Sequence, residues 1–335
     1  MLQSYAKSHI GQRQVNEDSY IIDEELGLYI IADGVGGLEK GEIASKIACN
    51  TILNAIKSGL SLNDAVYLAH RTIVGEIKAD QQKQGMATTI VAVLFDGRCY
   101  DMVWVGDSRV YIWDEALKLI TKDDSYIELL LENGHIGIDD LATHPDRNII
   151  SQALGIERKS IAINSNQGTL GDNQILILCT DGLYNIANEL DIIQAIKRLD
   201  NIKDMTCSLV ETAVAKDGKD NITLVLIKTA SESANNNPII EPKVYRYFDM
   251  LTGKIIANQP GKHNTSGQVR GQGFHRGETD PELIDQTAYK DLSPEERKLL
   301  ETAALQVVSK APVNKYLLPI ILIIILVIIA YISLK

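Results

Sequence analysis

Apolar positions in the first 230 residues follow two rhythms. Ile43 to Ile56 and Leu62 to Ile77 repeat at helical spacing, which predicts two helices covering one face of a sheet. "ATTIVAVLF", Ala87 to Phe95, is instead β-branched and mostly apolar and reads as a core strand. Four β-like runs share a further feature, because each meets an acid beside a small or polar residue: "QVNEDSYII", "VWVGDSRVYIW", "ILILCTDGLYN" and "KDNITLVLI". A fifth, "IIADGVGG" from Ile30, stops on Asp33 and then spends three of four residues on glycine. An acid at the mouth of a core strand is costly unless something positive meets it.

Beyond about Ser231 the periodicity fades. "SESANNNP" and "NQPGKHNTSGQVRGQGFHRGETDP" offer little that could fill a core, so residues 231–315 read as a polar linker. Two islands within it have local order signals. Residues 243–256 alternate like a hairpin around Thr252-Gly253, and 292–308 carry Ser293 as a helix cap, Pro294 at the first helical position and acids in the first turn. Neither holds an evident catalytic set. Residues 317–334, "LLPIILIIILVIIAYISL", contain no charge and as a helix would span roughly 27 Å, which predicts one C-terminal transmembrane helix within 316–335. A core helix would carry a polar stripe that this segment lacks. Lys310 and Lys315 precede the span, so the positive-inside tendency places the N-terminal bulk in the cytoplasm and makes the chain a single-pass membrane protein.

Composition adds limits. At 335 residues and 45 % hydrophobic content the chain can bury one large core or two modest ones. Cys49, Cys99, Cys179 and Cys207 are far apart, form no CxxC pair and follow no legible secretory leader, which argues against a disulfide framework or structural zinc. Residues 1–230 hold 21 Lys and Arg against 33 Asp and Glu, a balance that gives nucleic acid no electrostatic footprint.

The acids at the strand ends are Glu17, Asp18, Asp33, Asp107, Asp181 and Asp220. Singly, Asp-Gly and Asp-Asn are ordinary turn formers. If these acids converge, each pair about 4 Å apart repels by roughly 4 kcal/mol at an effective dielectric near 20. Bound cations would offset that. An oxygen-only donor set with no nearby His or Cys suits Mg²⁺ or Mn²⁺ rather than zinc. Gly34 would let the backbone approach and offer its carbonyl, and Gly36-Gly37 would allow a sharp exit.

Five motifs in order, "GQRQVNED", "IADGVGG", "VGDSRVY", "CTDGLYN" and "KDNITLVLI", resemble those of the metal-dependent type 2C protein phosphatase family in its bacterial form, over about residues 1–230. The resemblance implies an α+β fold, a four-layer αββα sandwich of two antiparallel sheets flanked by helices. It also implies two Mn²⁺ or Mg²⁺ ions, with Asp33 bridging both, Glu17 and the Gly34 carbonyl completing one site, and Asp181 and Asp220 the other. Asp107 matches the ligand of a third, weaker ion, shared with Asp181. Asp18 and Asn221 match residues that orient ligands, and Arg13 matches the arginine that holds the substrate phosphate. The implied reaction is direct hydrolysis of phosphoserine or phosphothreonine by a metal-bridging water or hydroxide. Phosphorylated proteins would be the substrates, with a cognate Ser/Thr kinase as a further partner.

One position departs from the family's eukaryotic pattern, DGHGG: the histidine credited with protonating the leaving alkoxide is Val35 here. His135 and His144 are candidates for that task only by element. Asp123 to Gly155 resembles the family's flap, which helps choose protein substrates. No cysteine sits in a CxxxxxR phosphate loop. Two other readings stand beside the phosphatase. One is a membrane-tethered pseudophosphatase that only binds partners, against which the retained acids argue, and the other is hydrolysis of a small phosphoester by the same site.

Overall fold

A computed structural model of the chain describes residues 2–35, 40–141, 143–156, 161–229 and 239–257. The strands are β1 (Leu2–His9), β2 (Ser19–Asp23), β3 (Leu28–Ala32), β4 (Gly34–Val35), β5 (Ala87–Thr88), β6 (Ile90–Asp96) and β7 (Cys99–Val105). They continue with β8 (Arg109–Asp114), β9 (Ala116–Leu119), β10 (Asn164–Thr169), β11 (Ile175–Cys179), β12 (Ile222–Thr229), β13 (Arg246–Asp249) and β14 (Lys254–Ala257). Helices are α1 (Lys40–Lys57), α2 (Leu62–Ala79), α3 (Tyr126–Glu132), α4 (Asp181–Tyr184), α5 (Glu189–Arg198) and α6 (Ile202–Lys216).

Unbroken apolar runs have a simple cause: the central strands are covered on both faces. In β3, Leu28, Ile30 and Ala32 face α1 and α2, while Tyr29 and Ile31 face the opposing sheet. In β12, Ile222, Leu224 and Leu226 face α5 and α6, while Val225 and Ile227 face inward. Two large antiparallel sheets result, in the orders β1-β12-β11-β8-β9-β13-β14 and β10-β7-β6-β3-β2, beside a two-stranded ladder of β4 and β5. The expected four layers are therefore present, as helices, sheet, sheet and helices around three apolar clusters.

Both helices read from periodicity are found, with Ser61 capping α2 through the Asp64 amide. The run at 87–95 is one strand in sequence but two in space, because it breaks at Thr89. Thr89 donates its amide to the Asp33 carbonyl at 2.8 Å and accepts the Asp33 amide on its hydroxyl at 3.1 Å. The ladder is interrupted where the backbone is recruited to hold Asp33.

The hairpin read at 243–256 is present as β13 and β14, and it does more than fold on itself. Arg246 and Tyr247 pair with Leu119 and Lys118 of β9, so the sheet continues past residue 230. A lone two-stranded hairpin is marginal in water; here Phe248 is buried in the core beside α5. The transmembrane helix expected at 316–335, the island at 292–308 and the turn at Gly36-Gly37 lie outside the described residues. Among the described residues, no helix is long and apolar enough to cross a membrane.

Candidate metal centre

Strand register decides where the acids go. In one sheet His9 pairs with Ile222, and Cys179 pairs with both Leu224 and Arg109, so the end of β1, the start of β12, the end of β11 and the start of β8 share one edge. In the other sheet Ser19 pairs with Ala32 and Ile90 with Val105, which puts the start of β2, the end of β3, the start of β6 and the end of β7 on one edge. Glu17 and Asp18 precede β2, Asp33 follows β3, Asp107 lies between β7 and β8, Asp181 follows β11 and Asp220 precedes β12. All six acids thus emerge at strand ends of these two edges.

Their electrostatics record the convergence. Burial pushes the Asp33 carboxyl well above the usual carboxylate range, and the charges of Asp18, Asp181, Asp107 and Asp220 push it the same way. Asp107 is also raised, by burial first and then by Asp181 and Asp123, against the pull of Arg109. Asp181 is raised to about 6 by burial and Asp220, with a hydrogen bond to Asp33 opposing. Asp18 is raised to about 7 by burial, against hydrogen bonds from Thr223 and Thr180. Its Oδ2 accepts from Thr180 at 3.0 Å, while Oδ1 is buried with no hydrogen-bond partner.

Among the described residues, no three His, Cys, Asp or Glu side chains form a group fit to close on one ion as they stand. The acids rest on protein donors. Glu17 Oε1 accepts from the Gly41 amide at 3.1 Å, and Asp181 Oδ2 from Asn185 at 3.2 Å. Asp220 accepts from Arg13 Nη2 at 2.8 Å and from the Asn221 amide at 2.8 Å. The chemistry nonetheless fits hard divalent cations: all donors are oxygens, the carboxyls are neighbours that raise one another, and one buried carboxylate oxygen is orphaned.

Supporting residues hold the backbone. Asn221 accepts the Glu17 amide at 2.8 Å and donates to the carbonyls of Ile10 and Val15 at 2.9 and 3.0 Å, tying the loop between β1 and β2 to β12. Gly34 donates to the Glu17 carbonyl at 3.2 Å. A Cβ on Gly34 would lie 2.2 Å from the Gly41 carbonyl, and one on Gly41 would lie 2.5 Å from Glu17 Oε1, so both must be glycine for α1 to reach the acid. Gly34 was legible from its motif, whereas Gly41 has no sequence signal beyond its place at the start of a helix. Thr88, Thr89 and Tyr184 escaped notice for a similar reason. They act through backbone atoms: Thr88 Oγ1 donates to the Asp33 carbonyl at 2.9 Å, and the Tyr184 hydroxyl to the Asp107 carbonyl at 3.0 Å.

Arg13 sits half exposed at the rim beside Asp220. Val35 is exposed in β4. Of the two histidines, His135 is exposed, and His144 accepts the Asp146 amide at 3.1 Å within its own turn.

Fold and centre define a class: a four-layer αββα sandwich whose two sheets present an oxygen-donor centre at one end. The chain belongs to the protein phosphatase 2C family, whose description it matches over residues 6–223. It is 31 % identical over 248 residues to the serine/threonine protein phosphatase PstP of Mycobacterium tuberculosis. That match takes in 72 % of this chain and 47 % of PstP, so the chain spans about half the length of this relative. The serine/threonine phosphatase stp of Listeria monocytogenes is 29 % identical over 230 residues, covering 64 % of this chain and 91 % of stp. A crystal structure of the catalytic domain of PstP in complex with two manganese ions superimposes with a TM-score of 0.59 at 28 % identity, over 68 % of this chain and 97 % of that one.

Proposed function

We propose that the chain is a metal-dependent phosphoserine/phosphothreonine protein phosphatase, tethered to the membrane by residues 317–334 with its catalytic domain in the cytoplasm. The observation that carries the reading is the set of mutually repelling acids gathered from both sheets, which a binding-only module has no physical reason to keep. Glu17, Asp33, the Gly34 carbonyl, Asp181 and Asp220 would hold two ions, with Asp107 serving a third. When bound, Mn²⁺ or Mg²⁺ would supply an activated water and offset the charge of the phosphate.

The chain's own groups prepare that chemistry. Arg13 keeps one nitrogen on Asp220, which leaves other donors of its planar fork for two phosphate oxygens. Asn221 fixes the Glu17 backbone, and Thr88 and Thr89 fix that of Asp33, so that closing on ions would fall to the acid side chains. The flap, Asp123 to Gly155, carries α3 and a short turn at Ile138–Asp140 and would bear on the choice of protein substrate.

The test is hydrolysis of a phosphothreonine peptide with and without Mn²⁺. Metal-dependent release of phosphate supports the reading, and no release at any Mn²⁺ concentration ends it. Comparable turnover of a free phosphorylated metabolite would move the substrate class to small phosphoesters. Deleting residues 312–335 should shift the protein from the membrane pellet to the supernatant with activity intact; unchanged sedimentation would remove the tether from the proposal. Phosphoproteomics on cells lacking the protein would identify the substrates and the opposing Ser/Thr kinase.

A further inference from the structure

The hairpin β13–β14 lies beyond the residues 6–223 matched to the family, yet its first residue reaches deep into the domain. Arg246 forms an ion pair with Glu128 of α3, and their side chains are only 10 % and 5 % exposed. A second buried pair adjoins it. Arg109, the first residue of β8, grips Asp123 through Nε at 3.0 Å and Nη2 at 2.7 Å. The two pairs sense each other, since Asp123 and Arg109 both act on the Arg246 guanidinium. All four residues line one cavity of about 260 Å³, together with Tyr184.

From there the path to the acids is short. The Arg109 guanidinium stacks 3.7 Å from the centre of the Tyr184 ring, and the Tyr184 hydroxyl donates to the Asp107 carbonyl at 3.0 Å. Tyr184 closes the helix that Asp181 opens. Glu128, lining the same cavity as Arg109, has a cation of its own in Arg246. If Arg246 were lost, the buried Glu128 charge would compete with Asp123 for Arg109, and drawing the guanidinium off Tyr184 would loosen the support of both Asp107 and Asp181.

We propose that Arg246 is a positioning residue for the Asp107–Asp181 side of the metal centre, acting through Glu128, Arg109 and Tyr184. The inference rests on the reading of Asp107 and Asp181 as metal ligands. It assigns the hairpin a function beyond completing the sheet, because a segment outside the matched family region then sets metal affinity.

The experiment titrates Mn²⁺ into the full chain by calorimetry and measures p-nitrophenyl phosphate hydrolysis in parallel. It compares wild type with Arg246→Lys, Arg246→Glu, Tyr184→Phe and the double exchange Arg246→Glu/Glu128→Arg. Arg246→Glu should weaken Mn²⁺ binding by about tenfold and lower kcat, leaving KM for the ester near wild type. Arg246→Lys and Tyr184→Phe should move affinity the same way by less. The double exchange, which re-forms the ion pair with reversed signs, should restore binding. Unchanged Mn²⁺ affinity in every folded variant, whatever happens to Tm, overturns the inference. If Arg246→Glu does not fold, Arg246→Lys and Tyr184→Phe decide by the same criterion. Failure of the wild type to bind Mn²⁺ would instead sink the metal-centre reading beneath it.

Discussion

Two groups of buried charge lie side by side in this domain and are built on opposite principles. Around the hairpin, Arg109, Asp123, Glu128 and Arg246 are two cations and two anions, each paired. At the strand ends, Glu17, Asp18, Asp33, Asp107, Asp181 and Asp220 have, among the described residues, one ion-paired cation, Arg13 on Asp220, and the burial of Asp33 is aggravated by four neighbouring acids. Burial penalises charge in both places, although Glu17, Asp33, Asp181 and Asp220 are only partly buried whereas the hairpin pairs are nearly enclosed. The balanced group spends its charges on one another and leaves nothing for a ligand, whereas the unbalanced group holds an unmet demand for positive charge. That contrast separates a structural ion-pair cluster from a site, and carboxylate substitutions should have opposite consequences in the two.

The largest effect is expected where the imbalance is functional. Asp33→Asn should cut Mn²⁺-dependent hydrolysis of p-nitrophenyl phosphate by at least about 10³-fold, since metal-borne stabilisation is worth several kcal/mol. In metal-free protein the same change should raise Tm, because it removes a strained carboxylate. Full activity in this variant would refute the assignment of Asp33. Across the boundary, Glu128→Gln should lower stability by about 3–5 kcal/mol by stranding the Arg246 charge, measured by urea unfolding. A loss close to zero would mean that the hairpin pair is solvated and the comparison false.

Arg13→Ala tests the rim of the acid group. A charge-assisted contact to phosphate is worth about 1.5–3 kcal/mol, so KM for the ester should rise about tenfold or more while Mn²⁺ affinity stays near wild type. An unchanged KM would leave Arg13 as only the partner of Asp220.

Sequence exposed the two groups unequally, and the cause is physical. Asp33, Asp107, Asp181 and Asp220 stand where apolar runs stop, so the cost of an acid at a core strand's mouth is visible in one dimension. Strand order and the four layers followed only from resemblance, because pairing such as β1 with β12 joins residues over 200 positions apart and leaves no local mark. The balanced group was invisible. Arg246 and Glu128 are 118 positions apart, and Arg246 sits in an alternating stretch that reads as a detached hairpin. Thr89 was masked differently, as a polar residue inside a run that looks like continuous strand.

The mildest measurement probes the imbalance without any substitution. Asp18 and Asp181 are raised to about 7 and about 6 by burial, against a value near 3.9 in the unfolded chain. Between about pH 4 and 7 the folded metal-free protein therefore binds more protons than the unfolded one, so its stability must fall as pH rises through that window. Its Tm should drop from pH 5 to pH 8, at roughly 2–4 °C per kcal/mol for a domain of this size. Saturating Mn²⁺ at pH 8 should reverse the loss, since a ligand at 100 times its Kd adds about 2.7 kcal/mol. Removing the metal again with a chelator should restore the decline. The hairpin group offers the contrast, since each of its charges faces a partner of opposite sign. A metal-free Tm that is flat or rises between pH 5 and 8 would show that the acids at the strand ends are already compensated, and would erase the difference between the two groups.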